Sequence, residues 1–413
     1  MQHLLKKSLI ALSCSSVLFF AGCNDDDDDD YSWSSNKTYV SEKTYNLDKI
    51  SNAASVKVMS YKMPTASGQT KEATAMVFVP NTAQPKDGWR VVVWEHGTVG
   101  IGDSCAPSNN AFNPRFKTMA ESLLKEGYVI VAPDYEGLGT AGIHPYLNLK
   151  SAANSAIYAV KAYKEQYTNR INGQWMSVGQ SQGGHASLGT AEFAADDVNY
   201  KGAVAGAPAS SLGYIISEVA PKAIQQVLLG EAVGAVPKGT AIDIQAELLA
   251  YAAYTTVGIT AYEPKFNYRE LFQERSRTVA EFAEGTTGEN GLCLIDLHNK
   301  FADDIKAYLS SNPTKTVLDY PSLVKDFQNN ATVKQFLADN QPATKKINTP
   351  VMIIQGTQDM AVPYAVTDQL QKNLKALGTD VTFLPVEGES HTEAIVKMNP
   401  ELVKFIKEKM PAK

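Results

Sequence analysis

The sequence predicts an α/β fold, a mostly parallel sheet covered by helices on both faces and interrupted by one large helical insertion. Three observations carry this reading. Short continuous apolar runs, such as Arg-Val-Val-Val-Trp-Glu at 90–95 and Tyr-Val-Ile-Val-Ala at 128–132, read as strands buried on both faces. These runs alternate with segments of helical period, the pattern of a parallel sheet joined by crossover helices. Between about 210 and 345 the alternation stops and almost no strand signal is left. Hydrophobic residues at 44% and charged residues at 20% of 413 exclude wholesale disorder and leave room for a large core.

The first residues are set apart from the fold. Lys6 and Lys7 precede an apolar stretch, Ser8 to Ala21, which is short for a spanning helix and suits a targeting segment over residues 1–22. It ends Phe20-Ala21-Gly22-Cys23, which resembles a bacterial lipoprotein cleavage signal with Cys23 as the lipidated residue. An ordinary cleaved secretory signal, with Cys23 incidental, is the other reading. Residues 23–35 contain Asp25 to Asp30, a self-repelling run that reads as a solvated tether rather than a Ca²⁺ site, because a metal needs converging ligands. Loss of Lys6 and Lys7 would take the formal charge from −6 to −8, and the six aspartates supply six of those charges. The folded part is therefore nearly neutral, which argues against a nucleic-acid partner. After processing, Cys105 and Cys293 remain, as a disulfide in an oxidising compartment or as two buried thiols.

From about residue 56 the elements follow in order. Residues 72–79 read as a strand stopped by Pro80, and 90–95 as a strand stopped at His96-Gly97. A helix over 114–126 places Phe116, Met119, Leu123 and Leu124 near a 3.6 period and ends at Gly127. Strands at 128–132, 175–179 and 202–205 alternate with helices at 150–166 and 184–195. Within the insertion, helices are predicted at 241–256, 269–284 and 317–340. The chain then returns to strand 351–354, helix 364–376, strand 381–386 and helix 392–409.

Gly179-Gln180-Ser181-Gln182-Gly183 fits Gly-x-Ser-x-Gly between a strand and a helix. In that setting Ser181 is a candidate nucleophile on a sharp turn, with Gly179 and Gly183 removing side chains that would clash. A serine needs a base, and the base an orienting carboxylate, in the chain order serine, acid, histidine. Of six histidines, His3 lies in the signal, His96, His144 and His185 come too early, and His298 lies in the insertion. His391 remains as the candidate base, in a loop after strand 381–386. Asp359, after strand 351–354, is the candidate acid; capping of the helix that follows Pro363 is its rival role. Candidate oxyanion donors are the N–H of Gln182 and, in the loop after Glu95, the N–H of Thr98; each such donor is worth about 3–4 kcal/mol. His96 reads as a residue that orients this loop. Gly137-Leu-Gly139-Thr-Ala-Gly142 matches a dinucleotide fingerprint formally, but Pro145 delays the next helix and no acidic residue follows at the required spacing. No zinc or Walker motif is present, so neither metal nor organic cofactor is expected.

Taken in order, Glu95-His96-Gly97-Thr98, Cys105-Ala106-Pro107-Ser108, Asp134-Tyr135-Glu136-Gly137-Leu138-Gly139, the serine motif, Gly356-Thr357-Gln358-Asp359 and His391 resemble the α/β-hydrolases over roughly residues 50–410. More narrowly, they resemble the secretory lipase family of fungi and bacteria. The resemblance implies a Ser181, Asp359 and His391 triad, a helical cap over the site, and a bridge from the early loop to the cap, Cys105 to Cys293. The expected organisation is a catalytic domain at 36–210 and 345–413 with a cap at 211–344. The expected activity is hydrolysis of carboxylic esters, small or lipidic, through an acyl-enzyme. Peptidase or acyltransferase chemistry on the same triad, or a non-catalytic surface-binding protein, are the alternatives. Lipidated Cys23 would anchor an exported lipoprotein to a membrane, in the periplasm or at the cell surface. The sequence carries no signal of oligomeric state.

Overall fold

The computed structural model of the protein describes residues 37–412. The signal expected at 1–22, the lipidation candidate Cys23 and the acidic stretch at 23–35 lie outside the described residues. Nine strands form one sheet in the order β1-β2-β3-β5-β4-β6-β7-β8-β9. β1 (Tyr39–Thr44), β2 (Ala53–Pro64) and β3 (Thr70–Pro80) form an antiparallel edge, and β3 pairs antiparallel with β5 (Tyr128–Pro133). β4 (Trp89–Glu95), β6 (Ile171–Gln180), β7 (Tyr200–Gly206), β8 (Val351–Gly356) and β9 (Val381–Val386) run parallel to β5 and to one another. β1 and β2 escape the sequence pattern because they are partly solvated and carry Ser and Lys among their apolar residues.

Helices cover both faces, and the strands' period of two divides the core accordingly. Val91 and Val93 face α2 (Leu149–Gln166), α3 (Gln182–Phe193) and α10 (Tyr364–Ala376), packed through Ala156, Leu188 and Leu370. Val92 and Trp94 face α1 (Pro114–Lys125) and α12 (Asn399–Lys409), packed through Phe116 and Leu402. α1 starts where it does because Asn113 caps the N–H of Arg115 and Pro114 opens the first turn. The helix expected at 392–409 is two, α11 (Glu393–Lys397) and α12, separated at Met398. Pro400 has no N–H to continue a ladder and stands in the first turn of the second helix.

Between β7 and β8 the described residues form helices, turns and isolated β-bridges but no strand. α4 (Leu212–Tyr214) passes through a π-helical turn, Ile215–Val219, into α5 (Ala220–Ala232). α6 (Thr240–Ile259), α7 (Glu274–Glu284), α8 (Leu294–Ser311) and α9 (Ala331–Asp339) follow. α6 is apolar nearly all round because its neighbours enclose it; Leu249, Ala253, Tyr254 and Val257 share a core with Val279, Phe301 and Phe336. Two expected helices are shorter than their patterns. The stretch 269–284 breaks at Phe272, which bridges to Leu323, so that only Glu274–Glu284 is α-helical. In 317–340 the α-helix is confined to Ala331–Asp339, where the Asn330 side chain accepts from the N–H groups of Thr332 and Val333. No helix among the described residues is long and apolar enough to cross a membrane.

Cys105 and Cys293 are disulfide-bonded, with Cα atoms 5.4 Å apart. The bond ties the loop after β4 to the start of α8 and closes 188 residues of chain. A loop of that length restricts the unfolded ensemble strongly, so Cys293→Ala should cost about 2–5 kcal/mol. Denaturation of wild type and variant, each with and without reductant, checks this: reductant should lower the wild-type midpoint to that of the variant and leave the variant unmoved.

Candidate active site

Ser181, Asp359, His391 and Thr98 follow the C-terminal ends of parallel strands, the edge where such sheets place ligands. Thr98 follows β4, Ser181 follows β6, Asp359 follows β8 and His391 follows β9. The ladders keep these ends level, with Glu95 opposite Gly179, Gln180 opposite Gly206 and Gly356 opposite Val386.

Ser181 sits at φ 62° and ψ −119°, a backbone conformation costing of order 1–3 kcal/mol outside glycine. Its surroundings hold it there. Its N–H donates to Gly206 O at 2.8 Å, and its carbonyl accepts from His185 at 3.0 Å and Ala209 at 3.2 Å. A Cβ on Gly179 would lie 2.1 Å from Gly183 O, and one on Gly183 would lie 1.8 Å from Glu95 O. Glycine at both positions lets α3 descend directly onto the ends of β4 and β6.

His391 Nε2 lies 2.9 Å from Ser181 Oγ, and its Nδ1 lies 2.8 Å from Asp359 Oδ2. In the matching tautomer Nδ1–H donates to the carboxylate and Nε2 accepts from the serine hydroxyl. Asp359 is buried and strongly held. Its Oδ1 accepts from the N–H groups of Ala361 at 2.9 Å and Val362 at 2.8 Å, and its Oδ2 also accepts from Gln355 Nε2 at 2.9 Å. The helix after Pro363 receives no side-chain cap, so Asp359 closes its own turn rather than capping α10. The other acids near by are engaged elsewhere: Asp368 pairs with Lys372 and Glu389 with Lys397.

The N–H of Gln182 opens α3 and that of Thr98 lies in the loop after β4; neither donates to an acceptor among the described residues. The loop runs close against the serine, since a Cβ on Gly97 would lie 3.6 Å from Ser181 Cβ. His96 packs into this loop, with Nδ1 2.7 Å from Gly97 O, while its own carbonyl accepts from Tyr135 Oη at 3.0 Å. Burial holds the His96 imidazole below its usual pKa, so it stays neutral and braces the loop. Thr98 Oγ1 meets Tyr146 Oη at 2.5 Å.

Three polar residues outside the sequence selection complete the frame. Gln355 joins Asp359 to Thr367, whose Oγ1 donates to Gln355 Oε1 at 2.7 Å. Gln180 Nε2 donates to the carbonyl of His391 at 3.0 Å. His144 receives the Gln182 amide on Nε2 at 3.1 Å and donates from Nδ1 to Glu136 O at 2.8 Å. Each glutamine stands at or next to the end of a parallel strand, but the sequence does not say which partner the amide will meet. For His144 no local signal exists.

Above Ser181 the cap closes an apolar chamber, lined by Tyr146, Leu212, Ile215, Leu248 and Phe336 among others. The described residues hold no cluster of three or more His, Cys, Asp or Glu side chains placed to bind a metal.

Residues 116–236 match the profile of the secretory lipase family. No curated protein sequence matches the chain. Solved structures share its architecture. A hydrolase-like protein of Legionella pneumophila is 19% identical with a TM-score of 0.66, covering 90% of this chain and 98% of that one. Candida antarctica lipase A in its closed state is 17% identical with a TM-score of 0.65, covering 90% and 81%. The rice cell wall degrading esterase LipA of Xanthomonas oryzae, ligand-bound, is 16% identical with a TM-score of 0.61, covering 90% and 97%. The structural likeness defines the class of fold: the chain has the architecture of the α/β-hydrolases. Within that class it is similar to the secretory lipases.

The buried histidines make the frame sensitive to acid. Burial lowers His144 from its usual 6.5 to about 3. The unfolded chain therefore takes up the proton first, and stability from neutral His144 is complete above pH 6.5 and lost as pH falls towards 3. Buried acids act in the opposite sense: burial pushes Asp134 up to about 6 and raises Glu95 far above the carboxylate range. The informative quantity is thus the stability difference between wild type and His144→Gln. By denaturant titration, that difference should shift in the variant's favour from pH 7 to pH 4.5.

Proposed function

We propose that the protein hydrolyses carboxylic esters through an acyl-enzyme on Ser181. The observation that carries this reading is the unbroken hydrogen-bonded run from Ser181 Oγ through His391 to Asp359. Ser181 Oγ attacks the ester carbonyl as its proton passes to His391 Nε2. Asp359 orients the imidazole and stabilises the imidazolium. The N–H groups of Thr98 and Gln182 receive the oxyanion, and neither has an internal acceptor to leave. Collapse of the tetrahedral intermediate expels the alkoxide, which takes the proton from His391. Water, activated by the same imidazole, then releases the acid and restores the serine.

The apolar chamber beside Ser181 suits the acyl chain. The family match and the lipase and esterase among the structural relatives favour an ester over a peptide. The secretory character of the matched family supports export. Lipidation of Cys23, with the aspartate run as a spacer, would keep the exported domain at a membrane.

Ser181→Ala should abolish fluorophosphonate labelling, and Ser181→Ala, His391→Ala and Asp359→Asn should each lower ester turnover roughly 10⁴-fold or more. Steady-state rates on p-nitrophenyl esters of rising chain length, beside matched peptide anilides, measure this and separate esterase from peptidase. Wild-type turnover by His391→Ala would remove the assigned base.

A further inference from the structure

A second cavity lies on the other side of the loop that carries Thr98. It is bounded by Gly97, Thr98 and Gln180 below, Phe112 and Arg115 on the α1 side, and Asp296 on the cap side. It is larger than the apolar chamber that contains Ser181. The Thr98 and Tyr146 hydroxyl pair stands between them, since Tyr146 lines the first and Thr98 the second. An ester carbonyl seated on Thr98 and Gln182 would therefore send one substituent each way. The apolar chamber suits the acyl chain, which leaves the second cavity to the alcohol.

Arg115 is the chemically distinctive residue of that cavity. It is half-buried in the first turn of α1, where the helix dipole disfavours a cation. Its Nη1 donates to Gln180 Oε1 at 3.1 Å, and its Nε makes a long contact of 3.4 Å with Asn113 Oδ1. Nη2 donates to no acceptor among the described residues, and no carboxylate there forms an ion pair with the guanidinium. Glu393 and Tyr251 act on it only at longer range, and Asp296 is exposed at the opposite rim. A desolvated guanidinium with its fork unfilled, next to the leaving-group side of the serine, is a ready partner for a planar anion.

We propose that the second cavity binds the alcohol half of the substrate, and that Arg115 selects alcohols bearing a carboxylate. The assignment of the two halves rests on the hydrolytic reading above. The anion site itself does not, because it can be measured without turnover.

The test uses benzyl butyrate and 4-carboxybenzyl butyrate, which differ only in the carboxylate. Wild type should favour the acid-bearing ester roughly tenfold or more in kcat/KM, the size of a charge-assisted hydrogen bond. Arg115→Gln should reduce that ratio to one or below, and Arg115→Lys should keep part of it. A wild-type ratio near one overturns the proposal. So does a parallel fall of both esters in Arg115→Gln, which would make Arg115 only a brace for Gln180. Calorimetry on Ser181→Ala separates the two readings. Binding of 4-(hydroxymethyl)benzoate, but not benzyl alcohol, with loss on adding Arg115→Gln, supports the anion site even if no ester is hydrolysed. Hydrolysis of benzyl butyrate without such binding overturns the anion site and leaves the hydrolytic reading standing.

Discussion

The close seating of α3 on the ends of β4 and β6 is the constraint on which the rest of the site depends. Gly183 brings its backbone so near Glu95 O that a Cβ would lie 1.8 Å away, and Gly179 meets Gly183 O in the same manner. That contact leaves Ser181 no room for an ordinary extended or helical conformation and forces the positive φ. The same turn aims the N–H of Gln182 outwards, with no earlier carbonyl in reach, and sets the loop of Gly97 and Thr98 beside the serine. The placements of the proposed nucleophile and of the proposed oxyanion donors are thus consequences of one packing event. The rigidity they need comes from backbone sterics rather than from side chains that could rotate away.

A second layer of order comes from buried amides. Gln355 holds Asp359, Gln180 holds the His391 loop, and Gln182 is held by His144. Each has a backbone position fixed by a strand end or helix start, and Gln180 and Gln182 reach elements distant in sequence. Neutral amides suit this duty, because they can be buried without the penalty of desolvating a charge. Neutral His144 serves the same purpose, its imidazole acting as an acceptor on one side and a donor on the other.

This division explains what was legible in the sequence. The parallel sheet and the sites of Ser181, Asp359 and His391 could be read because each sits just after a short apolar run, and chain order then restricts the choice of histidine. The roles of Gln180, Gln355 and His144 could not be read, because they are defined by partners 211, 4 and 38 residues away that only the folded sheet edge selects. Even the short separation of Gln355 is no local signal, since the amide could equally face solvent. In the cap the failure was of another kind. The stretches 269–284 and 317–340 have helical composition, but the Phe272 to Leu323 bridge and the Asn330 cap cut them, and such interruptions depend on tertiary contact. The open question of two thiols or a bridge had the same root, because nothing near Cys105 or Cys293 says that the cap folds back onto the loop after β4.

That fold-back also shapes recognition. The disulfide fixes the start of α8 over the loop carrying Thr98, and with it one wall of the second cavity. The opposite wall is α1, whose first turn carries Arg115, and α1 is fixed in turn by its packing on Val92 and Trp94. The proposed leaving-group side is therefore built from a covalently tied cap edge and a core helix. The proposed acyl side is built largely from the cap, including the π-helical turn that begins at Ile215. Rearrangement of α4 and the π-helical turn would alter the apolar chamber, to which they contribute Leu212, Gly213, Ile215 and Ile216, and not the cavity of Arg115, which they do not line. On the proposed reading, discrimination between alcohols belongs to the frame tied by the disulfide and α1, and accommodation of acyl chains to the cap helices.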